Sequence, residues 1–205
     1  MPVKIFEKFY NESFRKYGPT EKGVRWGNKK NAVLRYKNLS KIFDYLNLKR
    51  KKYDILDVGC GYGRMLDFID KRKIKKYTGI DLSQSMVDYC NKKKNKKNYF
   101  FFKKDLNIYK KKHDVCIVNG IFTTKATLTN KEMEDFFLKS INRLFKISRF
   151  GFCFNLMSQN VDYKSKILFY PNIDFVYSTI NKLSNKKFII DNSYGLFEYS
   201  VFIKK

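Results

Sequence analysis

Three glycines, at positions 59, 61 and 63, follow the apolar run Ile55-Leu-Asp-Val58 and precede Arg64 and a stretch of helical spacing. Few folds accept that order. A strand must run into a tight turn, and the turn must open a helix. Glycine lets the backbone turn sharply and lets a ligand come close, and the free N–H groups at a helix start meet its polar atoms. The segment Asp57 to Gly63, with Cys60 inside it, therefore reads as a cofactor site.

The rest of the chain repeats the same alternation. Runs rich in β-branched and aromatic residues alternate with runs of helical period, the pattern of βαβ units and a parallel sheet. Two amphipathic helices come first: Ile5, Phe6, Phe9, Tyr10 and Phe14 share one face, Gly18-Pro19 interrupts, and Val33, Leu34, Leu39, Ile42, Phe43 and Leu46 share the next. After them the pattern predicts strand 53–58, helix 64–71, strand 76–81, helix 84–93, strand 98–103, strand 113–118 and helix 131–146. Strand 149–157, an irregular stretch, helix 172–183 and strands near 186–191 and 197–203 complete it. The turn Asn192-Ser193-Tyr194-Gly195 makes the last two strands antiparallel neighbours. Phe100-Phe101-Phe102 reads as a buried strand.

Acidic side chains recur where such strands end. Asp81 closes the second strand about 20 residues after the glycine turn, the spacing at which a carboxylate reaches ribose hydroxyls in nucleotide-binding folds. Asp105, beside Leu106, closes the third strand, and Asn119 the fourth. Ligands of open α/β sheets sit outside those carboxyl ends. A dinucleotide site is disfavoured, because its G-x-G-x-x-G fingerprint needs the third glycine one residue later than Gly63.

These residues resemble the motifs of class I S-adenosylmethionine-dependent methyltransferases. Asp57-Val-Gly-Cys-Gly-Tyr-Gly63 is similar to the family's first motif, D-x-G-x-G-x-G, and Gly79-Ile-Asp81-Leu82-Ser to its second. The resemblance runs from residue 53 to the end. It implies a doubly wound, mostly parallel seven-stranded sheet, Rossmann-like, with a terminal antiparallel hairpin. It also implies S-adenosylmethionine as cofactor and S-adenosylhomocysteine as product. Gly59, Gly61 and Gly63 then meet the methionine part, Asp81 the ribose and Asp105 the adenine, with Asp57, Cys60, Leu82, Leu106 and Asn119 in the same site. Arg25-Trp26-Gly27 and Leu34-Arg35-Tyr36 resemble segments of bacterial relatives in which Arg35 pairs with the cofactor carboxylate and Trp26 packs beside it. A surface arginine and a core tryptophan are the other reading of that pair.

Composition narrows the classes. With 205 residues and 43% hydrophobic side chains the chain can bury a core. One methyltransferase domain is expected over 1–205, with a helical N-terminal cap over 1–50, a core over 51–205 and a substrate-side loop over 158–171. No run approaches the roughly 18 apolar residues of a membrane span, and no apolar leader opens the chain, so a cytoplasmic protein is expected. The four cysteines form no metal-binding spacing, and no metal is expected. His113 opens the fourth strand, which puts it at the edge away from the cofactor and argues against a general base.

The net charge of +25 suits a phosphate-bearing partner. Lysine, asparagine and aromatic residues rise together along the chain, however, and only Lys92–Lys97 and Lys110–Lys112 cluster. Val118-Asn119-Gly120-Ile121-Phe122 lacks the Asn/Asp-Pro-Pro-aromatic run of enzymes that methylate base nitrogens, and the chain has no Pro-Cys pair. The expected partner is thus a small anionic molecule carrying phosphate or carboxylate, methylated on oxygen or nitrogen, as in surface-polysaccharide biosynthesis. An RNA-directed methyltransferase using the lysine-rich surface is the alternative, and a cofactor-binding protein without catalysis a third class. Asp162 and Tyr163, on the loop after the fifth strand, are the candidate catalytic base, with Tyr10, Tyr17 and Tyr170 as further substrate contacts.

Overall fold

A computed structural model describes residues 2–47 and 52–205. The expected boundary between residues 50 and 51 lies outside them. Three helices come first: α1 (Pro2–Tyr17), α2 (Lys29–Ser40) and α3 (Ile42–Leu46). The remaining elements are β1 (Tyr53–Val58), β2 (Ile74–Asp81), α4 (Gln84–Lys93), β3 (Tyr99–Lys103), β4 (His113–Val118), α5 (Asn130–Ile147), β5 (Ser148–Met157), α6 (Ile173–Ser184), β6 (Phe188–Asp191) and β7 (Glu198–Lys204).

The strands form one seven-stranded sheet in the order β3-β2-β1-β4-β5-β7-β6. β1 to β5 are parallel, while β7 runs antiparallel to both β5 and β6. The strand order reverses between β1 and β4, and at that switch point a crevice opens beyond the carboxyl ends of the strands. The doubly wound fold with its terminal hairpin matches the expectation.

Alternation along the central strands builds two cores. Leu56, Val58, Cys116, Val118, Phe152 and Phe154 face α5 and α6, together with Phe137, Ile141, Val176 and Ile180. Ile55, Val115, Ile117 and Cys153 face the other way and meet Leu39, Ile42, Leu46 and Val87. Both faces of the central strands are therefore covered, which is why these strands read as nearly continuous apolar runs. Side-chain caps start several of the helices. Thr129 and Glu132 form a reciprocal capping box on α5, and the Asn28 and Ser83 side chains cap α2 and α4.

The structure corrects three expectations. No α-helix spans 64–71: the chain makes a short 3-10 turn at Arg64–Asp67, and the Asp70 carboxylate, accepting the Arg72 N–H at 2.9 Å, opens a second at Lys71–Lys73. The second N-terminal helix breaks at Lys41 into α2 and α3. Phe100 and Phe102 are 38% and 43% exposed, with only Phe101 buried, because β3 is an edge strand covered on one face. No helix among the described residues is long and apolar enough to cross a membrane.

Candidate cofactor site

The glycine turn is held to β2 by its backbone. Gly59 and Cys60 donate their N–H groups to the Ile80 carbonyl at 2.8 and 3.1 Å. Gly59 sits at φ +68, and a Cβ there would lie 2.4 Å from Ile121 Cγ2, so both conformation and contact require glycine. Asp81 then spans the two segments. Its Oδ2 accepts the Gly61 N–H at 2.8 Å and its Oδ1 the Ser83 N–H at 2.9 Å. Burial raises the Asp81 pKa, and those N–H groups oppose the rise.

Beneath the turn lies a buried carboxylate. Asp57 is 1% exposed and accepts a hydrogen bond from the Tyr77 hydroxyl. Burial pushes its pKa up to about 7, with the Tyr77 bond opposing and the charge of Asp81 adding. The thiols of Cys60 and Cys90 both point at the Gly61 carbonyl. Asp105 accepts the Asn107 N–H at 2.8 Å and turns the chain away from β3.

On the far side of the switch point, four elements meet in a line. Arg35 on α2 donates from Nε to Glu198 Oε1 at 2.6 Å and pairs with it again through its terminal nitrogen. Glu198, 2% exposed on β7, accepts from Asn155 Nδ2 at 2.8 Å, and Asn155 Oδ1 accepts the Gly120 N–H at 2.8 Å. The line thus reaches from the N-terminal helices to the end of β4. Trp26 lies over Gly120, its ring 3.2 Å from where a Cβ would stand, with the Arg35 guanidinium 5.1 Å from the ring centroid.

These elements enclose one cavity. Its floor is Asp57, Gly59, Cys60, Gly61, Asp81, Leu82, Asp105, Leu106 and Asn119, and Trp26 and Tyr36 close one end. Its roof is α1, through Val3, Phe6 and Tyr10, which meet Phe136 and Ile121. Phe6 and Phe136 are 5.3 Å apart between ring centroids. Burial raises the Tyr10 pKa, and the nearby Thr124 side chain opposes the rise.

Several of the expected site residues do not line the cavity. Gly63 borders the turn at φ +75 without lining the cavity. Arg35 also stays outside it, because Glu198 takes its guanidinium. Asp162 and Tyr163 are exposed, Tyr163 at 81%, and neither reaches the cavity, because the loop that carries them packs on segment 123–126 instead. Tyr17 is exposed as well, and the Tyr170 hydroxyl accepts the Ser165 N–H at 3.0 Å and braces that loop. Sequence reasoning missed Glu198, whose only signal was a lone acid within the strand Glu198-Tyr-Ser-Val-Phe-Ile-Lys204. His113 lies at the opposite edge, its Nδ1 2.8 Å from Asp54 and its Nε2 2.8 Å from the Tyr109 hydroxyl.

The cavity suits a polar nucleoside with a zwitterionic tail. Both side-chain atoms of Asn119 are buried without a hydrogen-bond partner at the cavity wall, which is costly unless a ligand supplies one. Each Asp81 oxygen that accepts one N–H keeps a lone pair for a hydroxyl.

The family model described as methyltransferase domain matches residues 55–146. A protein of Mycobacterium tuberculosis that bears a methyltransferase name is 29% identical over 157 residues, covering 75% of this chain and 93% of its own. The malonyl-(acyl-carrier protein) O-methyltransferase of Acetivibrio thermocellus is 32% identical over 95 residues, 44% of this chain and 34% of that one. Among solved structures, magnesium protoporphyrin IX methyltransferase from Synechocystis with bound S-adenosylmethionine superposes with a TM-score of 0.67 at 14% identity. It covers 100% of this chain and 96% of its own.

Proposed function

We propose that this chain, which belongs to the class I S-adenosylmethionine-dependent methyltransferases, moves a methyl group to an oxygen or nitrogen nucleophile of a small anionic acceptor. S-adenosylmethionine is the cofactor. In this reading Asp81 takes the ribose hydroxyls, Asp105 with Leu82 and Leu106 the adenine, and the turn at Gly59–Gly61 with Asn119 the methionine end. The helices α1 to α3 act as a cap on the core.

When bound, the cofactor supplies a methyl group already activated on a positively charged sulfur. The chain's residues then have to align the acceptor and keep water out. Val3, Phe6, Phe136 and Ile121 give the cavity an apolar roof that serves the second task. Tyr10 keeps its proton at neutral pH and acts as a positioning hydroxyl beside Thr124. Asp162 and Tyr163 are exposed and do not line the cavity, so in this reading an acceptor carboxylate enters already ionised, and a nitrogen acceptor gives up its proton to solvent once the methylated product leaves.

The observation that carries this reading is the cavity itself, walled by Asp81, Asp105, Asn119 and the glycine turn at the strand ends. The acceptor's charge rests on the lip. Lys104 is the one cation among the described cavity residues, and Lys125, Lys164 and Lys166 stand on the loops beyond it. Such a lip suits a phosphate or carboxylate that stays outside while the nucleophile enters, as in a metabolite of surface-polysaccharide synthesis. RNA as acceptor would need its densest cations here, and they lie at the other edge of the sheet.

Calorimetric titration with S-adenosylhomocysteine tests the cofactor site, and release of that product across sugar nucleotides and phosphorylated metabolites tests the acceptor. No binding would overturn the cofactor assignment. Binding with turnover only on neutral acceptors would overturn the anionic reading alone.

A further inference from the structure

Besides the lysines of the cavity lip, a second group gathers at the other edge of the sheet. Because β1 to β5 run parallel and β7 runs back against β5, the chain enters each parallel strand, and leaves β7, at the edge opposite the cavity. Exposed lysines stand at those points: Lys71 before β2, Lys96 before β3, Lys110–Lys112 before β4, Lys187 before β6 and Lys205 after β7. The nearby carboxylates are already engaged, Asp44 with Lys73, Asp54 with His113, Asp70 with Arg72 and Asp114 with Arg149. The excess is positive and crowded. Although both side chains reach solvent, partial desolvation first, then the charges of Lys94 and Lys96, hold the Lys71 pKa below its ordinary value against the pull of Asp67, and partial desolvation and then Lys112 act likewise on Lys205.

Aromatic side chains lie beside these cations. On edge strand β3, Phe100 and Phe102 project from the same face, about 7 Å apart along the strand, and both are exposed. α4 packs on the other face, against Phe101. Lys76 Nζ lies 4.9 Å from the Phe100 ring centroid, and Lys96 Nζ 5.7 Å from that of Tyr99.

We propose that the lysine edge and the Phe100/Phe102 face form a binding surface for single-stranded nucleic acid, separate from the cofactor cavity. Proteins that hold single strands without strong sequence preference combine a cationic track for the phosphates with aromatic faces on which bases stack. An anionic membrane would instead be met by apolar side chains set among the cations of one flat face, whereas here the rings lie to one side, along the end of the sheet. The strand is a docking partner rather than the methyl acceptor, since the lysines that would hold its phosphates stand at the edge opposite the cavity, and Phe100 and Phe102, though β3 runs up to the cavity edge, do not line the cavity.

Fluorescence anisotropy with a labelled 20-nucleotide RNA of mixed sequence, titrated from about 50 to 300 mM salt, tests the proposal. Micromolar binding is expected near physiological salt. Lys110→Glu, Lys111→Glu and Lys112→Glu together should weaken it at least tenfold and flatten the logarithmic salt slope by about 2, at roughly 0.7 per phosphate contact. Phe100→Ala with Phe102→Ala should weaken it about tenfold or more without changing the slope. The charge-matched control on α2, Lys29→Glu, Lys30→Glu and Lys37→Glu, should bind within a few-fold of wild type. Retained S-adenosylhomocysteine binding reports that each variant folds. If a variant does not fold, lysine acetylation of wild type with and without RNA decides, with protection expected at Lys110–Lys112 and Lys187 but not at Lys29 and Lys37. Absence of binding, equal loss in the α2 control, insensitivity to the phenylalanine changes, or capture by phosphatidylserine vesicles but not RNA would each overturn the proposal.

Discussion

The Asp81 carboxylate and the Gly61 N–H are joined at 2.8 Å, so the acid proposed to hold the ribose also holds the glycine turn in shape. Removing the carboxylate therefore removes a ligand contact and loosens the turn at once. Hydrogen bonds to a charged group contribute about 1.5 to 3 kcal/mol each, so Asp81→Ala should weaken S-adenosylhomocysteine about 30-fold or more by calorimetry. Asp81→Asn keeps one acceptor oxygen and should fall between. Unchanged affinity in Asp81→Ala, with the fold intact, would remove Asp81 from the site.

Gly59 leaves no room for a side chain beside Ile121. Gly59→Ala places a methyl group 2.4 Å from Ile121 Cγ2 at a backbone φ of +68. Ile121→Ala in the same chain removes the atom it strikes, leaving a left-handed backbone cost of about 1 to 2 kcal/mol. Gly59→Ala should abolish detectable cofactor binding, and the double variant should recover part of it. Equal loss in both would mean that backbone strain, rather than the clash, decides.

Much of this was legible because it rests on local rules. The β1, β4 and α4 boundaries follow from apolar runs and caps set within a few residues, and the motif Asp57–Gly63 carries its turn in its glycines. What escaped depends on distant partners. Segment 64–71 has a helical apolar spacing, yet the Asp70 side chain diverts the backbone into a second short turn. Phe100 and Phe102 look buried until β3 is known to be an edge strand. Arg35 faces Glu198 across 163 positions of sequence, a separation no local pattern reports.

Asp57 should make stability depend on pH. Its pKa, about 7 in the fold against 3.8 as the reference, means the folded state binds the extra proton between those values. Stability from this group is then fully present below about pH 4 and is lost as pH rises through 7, by up to about 4 kcal/mol. Asp57→Asn keeps an acceptor for the Tyr77 hydroxyl and cannot ionise. The difference in unfolding free energy between variant and wild type should therefore grow in favour of the variant by about 2 kcal/mol from pH 5.5 to 8. A difference that stays constant over that interval would contradict the raised pKa.

The Arg35 and Glu198 pair should behave as a buried ion pair, with Glu198 side-chain exposure at 2% and Arg35 at 16%. Taking away one partner leaves the other charge stranded, and such breaks cost about 3 to 5 kcal/mol. Glu198→Ala also frees Asn155 Nδ2 and loosens the hold on the Gly120 N–H, so both stability and cofactor affinity should fall. Arg35→Met with Glu198→Leu replaces the pair by apolar groups of similar size, and much of the stability should return, because no uncompensated charge remains. Cofactor affinity should not return with it, since Asn155 still lacks its anchor. Chemical denaturation beside calorimetry on the two variants separates these effects. Recovery of both together would mean that the pair supports the fold alone and that the link through Asn155 to Gly120 has no part in shaping the cavity.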